Sequence, residues 1–292
     1  MYKPWEELTI SNDFIFSKVM TTAPHLCRRM LEIILGFKID KIEYPEREKV
    51  ISEHGLSKGI RLDVYVQASD GSRHFDVEIQ TSNHHDLAKR MRYYQSTIDN
   101  NALNRGQHYY KLADSYVIFI CTFDYFGAGR HKYTFTQRCT EDNNILLGDG
   151  STKIVLNALG TMNDVDDELL AFLNYIAGFK SDNEFVEALD AQVKFTKRSR
   201  EWRMDFVHYE EELAAREHYA REEGIGIGRE EGIGIGREEG IGIGREEGIG
   251  IGREEERQKL VKNFLKAGTP IEFIMAATGW TEEQIKKAVQ TD

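Results

Sequence analysis

Four head-to-tail copies of Arg-Glu-Glu-Gly-Ile-Gly-Ile-Gly run from Arg221 to Gly252 and limit what the chain can build more than any other feature. Glycine fills three of the eight positions in each copy. At about 1 kcal/mol each relative to alanine, the twelve glycines oppose an isolated helix by about 10 kcal/mol. An eight-residue period also advances a helix by about 80° per copy, so the isoleucines spiral instead of forming one seam, and coiled-coil pairing is not expected. In an extended chain Ile225 and Ile227 share a face, but their glycine flanks make a weak strand. The segment is therefore read as a spacer with helical tendency and no chemistry. It divides the chain into residues 1–200, a charged helix and repeat over 201–256, and a small helical element over 257–292.

The first of these carries the core. Apolar spacing predicts helices over 13–20 and 25–35, the second through Leu26, Met30, Ile33 and Ile34. Residues 60–67 and 74–80 alternate as strands around the turn signal Ser69-Asp70-Gly71-Ser72. Leu87, Met91, Tyr94, Ile98 and Ala102 then form one helical stripe over 85–104. Tyr116 to Thr122 is a continuous apolar run of the kind buried on both sheet faces. Strands near 132–139 and 152–156 and helix from about 166 to 219 complete a mixed α/β region. In the last 40 residues, Thr269-Pro270-Ile271-Glu272 and Thr281-Glu282-Glu283-Gln284 read as two helix starts separated by a Gly279 stop. They make either a packing and oligomerisation element or a helix-turn-helix with Lys286 and Lys287 near phosphates.

Charge narrows the partners. The chain carries 38 basic and 49 acidic side chains, net -11, which argues against binding nucleic acid through bulk positive potential. The acidity is uneven, with 25 basic against 28 acidic residues up to position 200 and 13 against 21 beyond it. Contact with DNA must then be local and come from the first 200 residues, through groups such as Lys89, Arg90, Arg92 and Arg105. No apolar run approaches the roughly 18 residues that span a bilayer, and the N-terminus lacks a signal-peptide core, so a cytoplasmic protein with no membrane partner is expected. Cys27, Cys121 and Cys139 form no CxxC pair, which supports neither a disulfide framework nor a structural zinc.

Chemistry concentrates in Arg61 to Val66 and Phe75 to Gln80. With Asp70 and Gly71 as the two central residues of a tight hairpin, opposed positions sum to 141. Asp63 then faces Glu78, Tyr65 faces Asp76 and Arg61 faces Gln80, all on one sheet face. Leu62, Val64, Val66, Phe75, Val77 and Ile79 form the opposite, apolar face. Two carboxylates opposed across a hairpin destabilise it unless a cation or proton lies between them. A divalent ion of the Mg²⁺ or Mn²⁺ type, held by Asp63 and Glu78, is one solution. Solvation on an exposed face, or pairing with Arg61, is the other.

Asp63 followed by Glu78-Ile79-Gln80 resembles the Asp…(Glu/Asp)-x-Lys signature of the PD-(D/E)xK nuclease superfamily. More narrowly, Asn12-Asp13-Phe14-Ile15-Phe16, Leu62-Asp63-Val64, Val77-Glu78-Ile79-Gln80 and Arg92-Tyr93-Tyr94-Gln95-Ser96 resemble the recombination-promoting nuclease and transposase family. The resemblance covers about residues 10 to 200. It implies an α/β, restriction-endonuclease-like core, a mixed central sheet flanked by helices, with a C-terminal helical segment. It also implies metal-dependent endonucleolytic cleavage of DNA, in support of recombination or transposition. Asp63, Glu78 and Gln80 would be catalytic.

Gln80 stands where the superfamily usually has lysine, as is common in the narrower family. Either Gln80 orients the attacking water and the metal alone acidifies it, or a cation from the following helix substitutes. Lys89, Arg92 and Tyr93, off that helix's apolar stripe, are the supporting candidates. A lysine at position 80 is expected to be tolerated or to raise activity. Asp13 is either an additional acidic site residue or a helix-start residue. Gly55-Leu56-Ser57-Lys58-Gly59 matches a nucleophile elbow literally, but it precedes a strand where an elbow must follow one. Neighbouring His84 and His85 would diverge by about 100° on a helix and are not expected to share a metal. A catalytically inactive DNA-binding or recombination accessory protein is the first alternative. A protein interaction module acting through the repeat and C-terminal helices, with homo-oligomerisation there, is the second.

Overall fold

The computed structural model describes residues 3–44, 62–103 and 106–290. Ile60, Arg61, Arg105 and the Gly55–Gly59 segment, all singled out in the sequence, lie outside them. The chain divides into two compact units, Met1–Glu210 and Glu211–Asp292.

The first unit is built on a six-stranded mixed sheet. Its strands are β1 (Ile42–Glu43), β2 (Val64–Ala68), β3 (Arg73–Gln80), β4 (Asp114–Cys121), β5 (Lys132–Phe135) and β6 (Ser151–Asn157), in the order β1-β2-β3-β4-β6-β5. β3, β4 and β6 run parallel, while β1–β2, β2–β3 and β5–β6 are antiparallel. The parallel step from β3 to β4 is bridged by α3 (Leu87–Ala102). Such a crossover lays its helix on one sheet face. The other helices are α1 (Asp13–Thr22), α2 (Pro24–Leu35), α4 (Asp167–Ile176), α5 (Glu184–Lys197) and the start of α6 (Arg200–Lys266).

The β2–β3 pairing follows the expected register, with Val64 opposite Val77, Tyr65 opposite Asp76 and Val66 opposite Phe75. The turn differs from expectation. Ser69 to Ser72 form a four-residue loop in which only Gly71 has positive φ, at +70°, whereas a two-residue type I′ turn needs positive φ at both centres. Gly71 N donates to Ala68 O at 2.8 Å and Ser72 N to the Asp70 side chain at 2.9 Å. An even-numbered loop leaves the register unchanged.

Both faces of this hairpin are covered. Val64, Val66, Phe75, Val77 and Ile79 join the main core with Phe14, Phe16, Leu31 and Ile34 from α1 and α2 and Phe172 from α4. On the opposite face, Leu87, Met91, Tyr94 and Ile98 of α3 pack on Val117, Phe119, Cys121 and Val155. Leu62 joins this second cluster and not the first, because pairing starts at Val64 and the backbone bends at Asp63. The core also extends past residue 200, where Phe206 is buried against Trp5 and Phe14.

The octapeptide repeat is helical throughout, within the 67-residue α6. The expectation that the repeat alone does not form a helix concerns nucleation. Here alanine-, leucine- and glutamate-bearing flanks, such as Glu210 to Arg216 and Arg253 to Lys266, supply turns from which helix propagates, and propagation is the cheaper step. Its isoleucines are 47–62% exposed, so no apolar seam is buried along it. Beyond it, α7 (Ile271–Thr278) and α8 (Glu282–Gln290) close a small core of Val261, Ile274, Trp280 and Ile285. Gly279 ends α7 at φ +70°. Thr281 and Gln284 cap α8 reciprocally, through Gln284 N to Thr281 Oγ1 at 3.3 Å and Thr281 N to Gln284 Oε1 at 2.9 Å. At α7 the expected Thr269 cap is replaced by Pro270, whose side chain caps nothing. Lys286 is engaged by Glu282 at 2.6 Å, and two glutamates open α8, an unfavourable face for phosphate.

Candidate active site

Strand alternation and register bring Asp63 and Glu78 together where β2 begins and β3 nears its end. Their carboxylates are anchored crosswise on the backbone. Asp63 N donates to Glu78 Oε1 at 2.8 Å, and Ile79 N donates to Asp63 Oδ2 at 3.2 Å. Glu78 is buried and Asp63 half-buried, so the reading of a solvated pair does not describe this face. The reason is α3, whose apolar stripe needs a partner surface and takes the acidic side of the hairpin.

Asp76, two residues before Glu78 and on the same face, is fully buried. Neither of its oxygens meets a donor. The polar group beside it is the Glu78 carboxyl, which can bond to it only when one of the two holds a proton. Burial, and then the charge of Asp63, push both Asp76 and Glu78 well above the ordinary carboxylate range. Asp76 and Glu78 therefore share one desolvated neighbourhood, with the half-buried Asp63 at its edge.

Gln80 is held on both sides of its amide. Its Nε2 donates to Ser82 O at 2.7 Å, and its Oε1 accepts from Arg90 Nη1 at 2.6 Å. Arg90 also donates to the Tyr94 hydroxyl at 3.1 Å and lies 3.9 Å from Glu78. Its guanidinium sits over the rings of Phe119 and Tyr94, 5.2 and 5.5 Å from their centroids. Burial works against this charge, yet the Tyr94 hydroxyl and the Glu78 and Asp86 carboxylates hold the guanidinium above its usual range. Tyr94 is pushed up to about 12, first by burial and then by Glu78.

The other residues singled out in the sequence sit apart. Lys89, Arg92 and Tyr93 are on the exposed side of α3. Asp13 is the first residue of α1, behind the Asn12 cap, and its carboxylate accepts from Phe14 N and the Tyr209 hydroxyl. The buried residues of α1 pack on the sheet face opposite Glu78, so Asp13 is not drawn to the carboxylates. His84 and His85 are exposed in the β3–α3 loop, His85 with φ +58°.

Asp76 and Tyr94 were not among the sequence candidates, and Arg90, expected as a phosphate contact, is instead turned inward onto Gln80. Alternation already set Asp76 beside Glu78, and Arg90 stands three residues after Leu87 and four before Tyr94, on the edge of the buried stripe. Among the described residues, no three His, Cys, Asp or Glu side chains are drawn together in a metal-holding arrangement. No helix among them is long and apolar enough to cross a membrane.

Residues 10–157, just over half of the chain, match the family model for PD-(D/E)XK nuclease family transposase. No curated protein and no solved structure matches the chain.

Proposed function

The chain belongs to the PD-(D/E)XK nuclease family transposases, and from that premise we propose that it is a divalent-cation-dependent DNA endonuclease working at the β2–β3 carboxylates. The observation that carries this reading is the pairing of Asp63 with Glu78 across the hairpin, each anchored on the other strand's backbone. The donor chemistry fits a hard cation. All the candidate ligands are carboxylate oxygens, Glu78 is desolvated, and the buried Asp76 oxygens have no donor. Mg²⁺ or Mn²⁺, when bound, supplies an acidified water and neutralises charge on the phosphate.

In this reading Asp63 and Glu78 hold the ion. Gln80 orients the attacking water, since its amide keeps one further donor and one further acceptor position after its bonds to Ser82 and Arg90. Arg90 keeps a permanent positive charge beside both residues, which favours the anionic phosphate. Lys89 and Arg92, exposed on α3, offer phosphate contacts outside the carboxylate cluster. Cutting DNA in this way yields the ends that recombination or transposition requires.

The test is nicking of supercoiled plasmid by the purified full chain with Mg²⁺, with Mn²⁺ and with EDTA. Nicking in both metals and none in EDTA is expected. DNA binding without nicking in either metal would replace this reading with a non-catalytic accessory role.

A further inference from the structure

Asp76 occupies the middle of β3, opposite Tyr65 on β2 and beside Val117 on the parallel β4. Its side chain is wholly enclosed between the sheet and α3, and both of its oxygens lack a donor. Buried polar atoms are almost always bonded, so Asp76 calls either for a proton shared with the Glu78 carboxyl or for a positive charge from outside the protein. The polar groups around it are already engaged. The Tyr65 hydroxyl bonds to His74, the Tyr94 hydroxyl accepts from Arg90, and the Arg90 guanidinium is taken up by Gln80, Tyr94 and Glu78. What faces Asp76 is the Glu78 carboxyl, with Asp63 close enough for its charge to oppose ionisation of both. A serine, asparagine or apolar residue would fill this place without electrostatic conflict. An acid is useful there when positive charge arrives.

We propose that Asp76 is the third carboxylate of the cation site, an inner oxygen ligand to the divalent ion held by Asp63 and Glu78; the inference rests on the cation reading above. Residues i and i+2 of a strand are about 6.6 Å apart on one face, within the span of two side chains converging on one hard cation. Ligation requires Asp63 and Glu78 to turn from the backbone amides they now accept from. The resulting all-carboxylate set suits Mg²⁺ or Mn²⁺ over softer metals.

Calorimetric titration of Mn²⁺ into the full-length protein tests this without reference to cleavage. Asp76→Asn keeps size and burial while removing the charge, and Asp63→Asn is the reference for a lost ligand. Asp76→Asn is expected to weaken Mn²⁺ binding by at least about tenfold, as Asp63→Asn does, with unchanged far-UV circular dichroism. Binding by Asp76→Asn within twofold of the parent, alongside a large loss in Asp63→Asn, overturns the role of Asp76 and leaves the cation reading standing. No Mn²⁺ binding by the parent protein overturns both. If Asp76→Asn does not fold, infrared difference spectra of the parent, with aspartate carboxyls carbon-13 labelled, decide the matter on adding Mg²⁺. Two aspartate bands shifting supports the proposal, and one overturns it.

Discussion

Arg90 on α3 donates from Nη1 to Oε1 of Gln80 on β3 at 2.6 Å, while its Nη2 lies 3.9 Å from Glu78 Oε2. In the proposed site, the position that resembles the superfamily lysine would thus be served by two side chains, an amide from the strand and a cation from the helix. The two halves are not interchangeable with one lysine, because a guanidinium stays charged where a buried ammonium readily loses its proton.

This pairing reverses the expectation that Gln80→Lys is tolerated. A lysine at position 80 faces Arg90, and at an effective dielectric constant of about 20 two unit charges about 4 Å apart repel by about 4 kcal/mol before either side chain moves. Gln80→Lys should therefore lower plasmid nicking by about tenfold or more and reduce the melting temperature. The double variant Gln80→Lys with Arg90→Gln should recover much of both. Full activity of Gln80→Lys with Arg90 intact would show that the guanidinium contributes nothing at this site.

Asp63→Ala and Glu78→Ala should each abolish Mg²⁺-dependent nicking while the fold stays as stable or becomes more so. Either change deletes a proposed ligand, and in EDTA it also relieves repulsion among carboxyl groups that burial keeps from water. Thermal melts in EDTA, run beside the nicking assay, separate the two effects. Near-parental nicking by both variants would move the active site elsewhere.

Asp76 and Glu78 also set a pH dependence whose sign is fixed. Burial, then Asp63, raise both groups above their unfolded values, so the folded chain binds more protons than the unfolded one from the ordinary carboxylate range upward. Their contribution to stability is complete below the unfolded values and is lost as pH rises through the folded ones. In EDTA the melting temperature should fall as pH rises above the ordinary carboxylate range, and Asp76→Asn should flatten that slope. A melting temperature that rises or stays level over this window would mean that the carboxyls are ionised in the folded protein.

Much of the site was legible from alternation alone. A period of two places Asp63, Tyr65, Asp76, Glu78 and Gln80 on one face whatever the loop between the strands, provided its length is even. What alternation does not tell is which face meets water. The stripe on α3 was visible as Leu87, Met91, Tyr94 and Ile98, but its partner surface was not, so the acidic face read equally as a cation site or as an open, solvated face. Arg90, expected as a phosphate contact, was misplaced for a related reason. A long cationic side chain on the edge of a stripe reads as solvated, whereas here its guanidinium lies over Phe119 and Tyr94 and donates to Gln80. The repeat shows the opposite limit, since residue preference described its isolated behaviour and not its state between two helix-forming flanks.

The smallest chain that keeps the nuclease fold should end after Glu210 and not after Arg200. Phe206 is buried with its ring 5.5 Å from Trp5 and 5.4 Å from Phe14, and the Tyr209 hydroxyl bonds to Asp13. Losing an aromatic side chain of this kind costs about 3–5 kcal/mol, enough to unfold a domain of ordinary stability. A chain of residues 1–210 should melt cooperatively, and one of residues 1–200 should melt far lower or aggregate. Residues 211–292 carry 12 basic and 18 acidic side chains, so the shorter chain sheds a net charge of -6. Its DNA affinity at low salt should equal or exceed that of the full chain, with the local contacts coming from α3. Lys89→Ala and Arg92→Ala should each reduce the slope of log affinity against log salt by about 0.9, whereas Arg90→Ala, being turned inward, should leave that slope unchanged and impair cleavage. If the 1–210 chain folds yet no longer binds DNA, binding depends on the C-terminal unit and the contacts assigned to α3 are wrong.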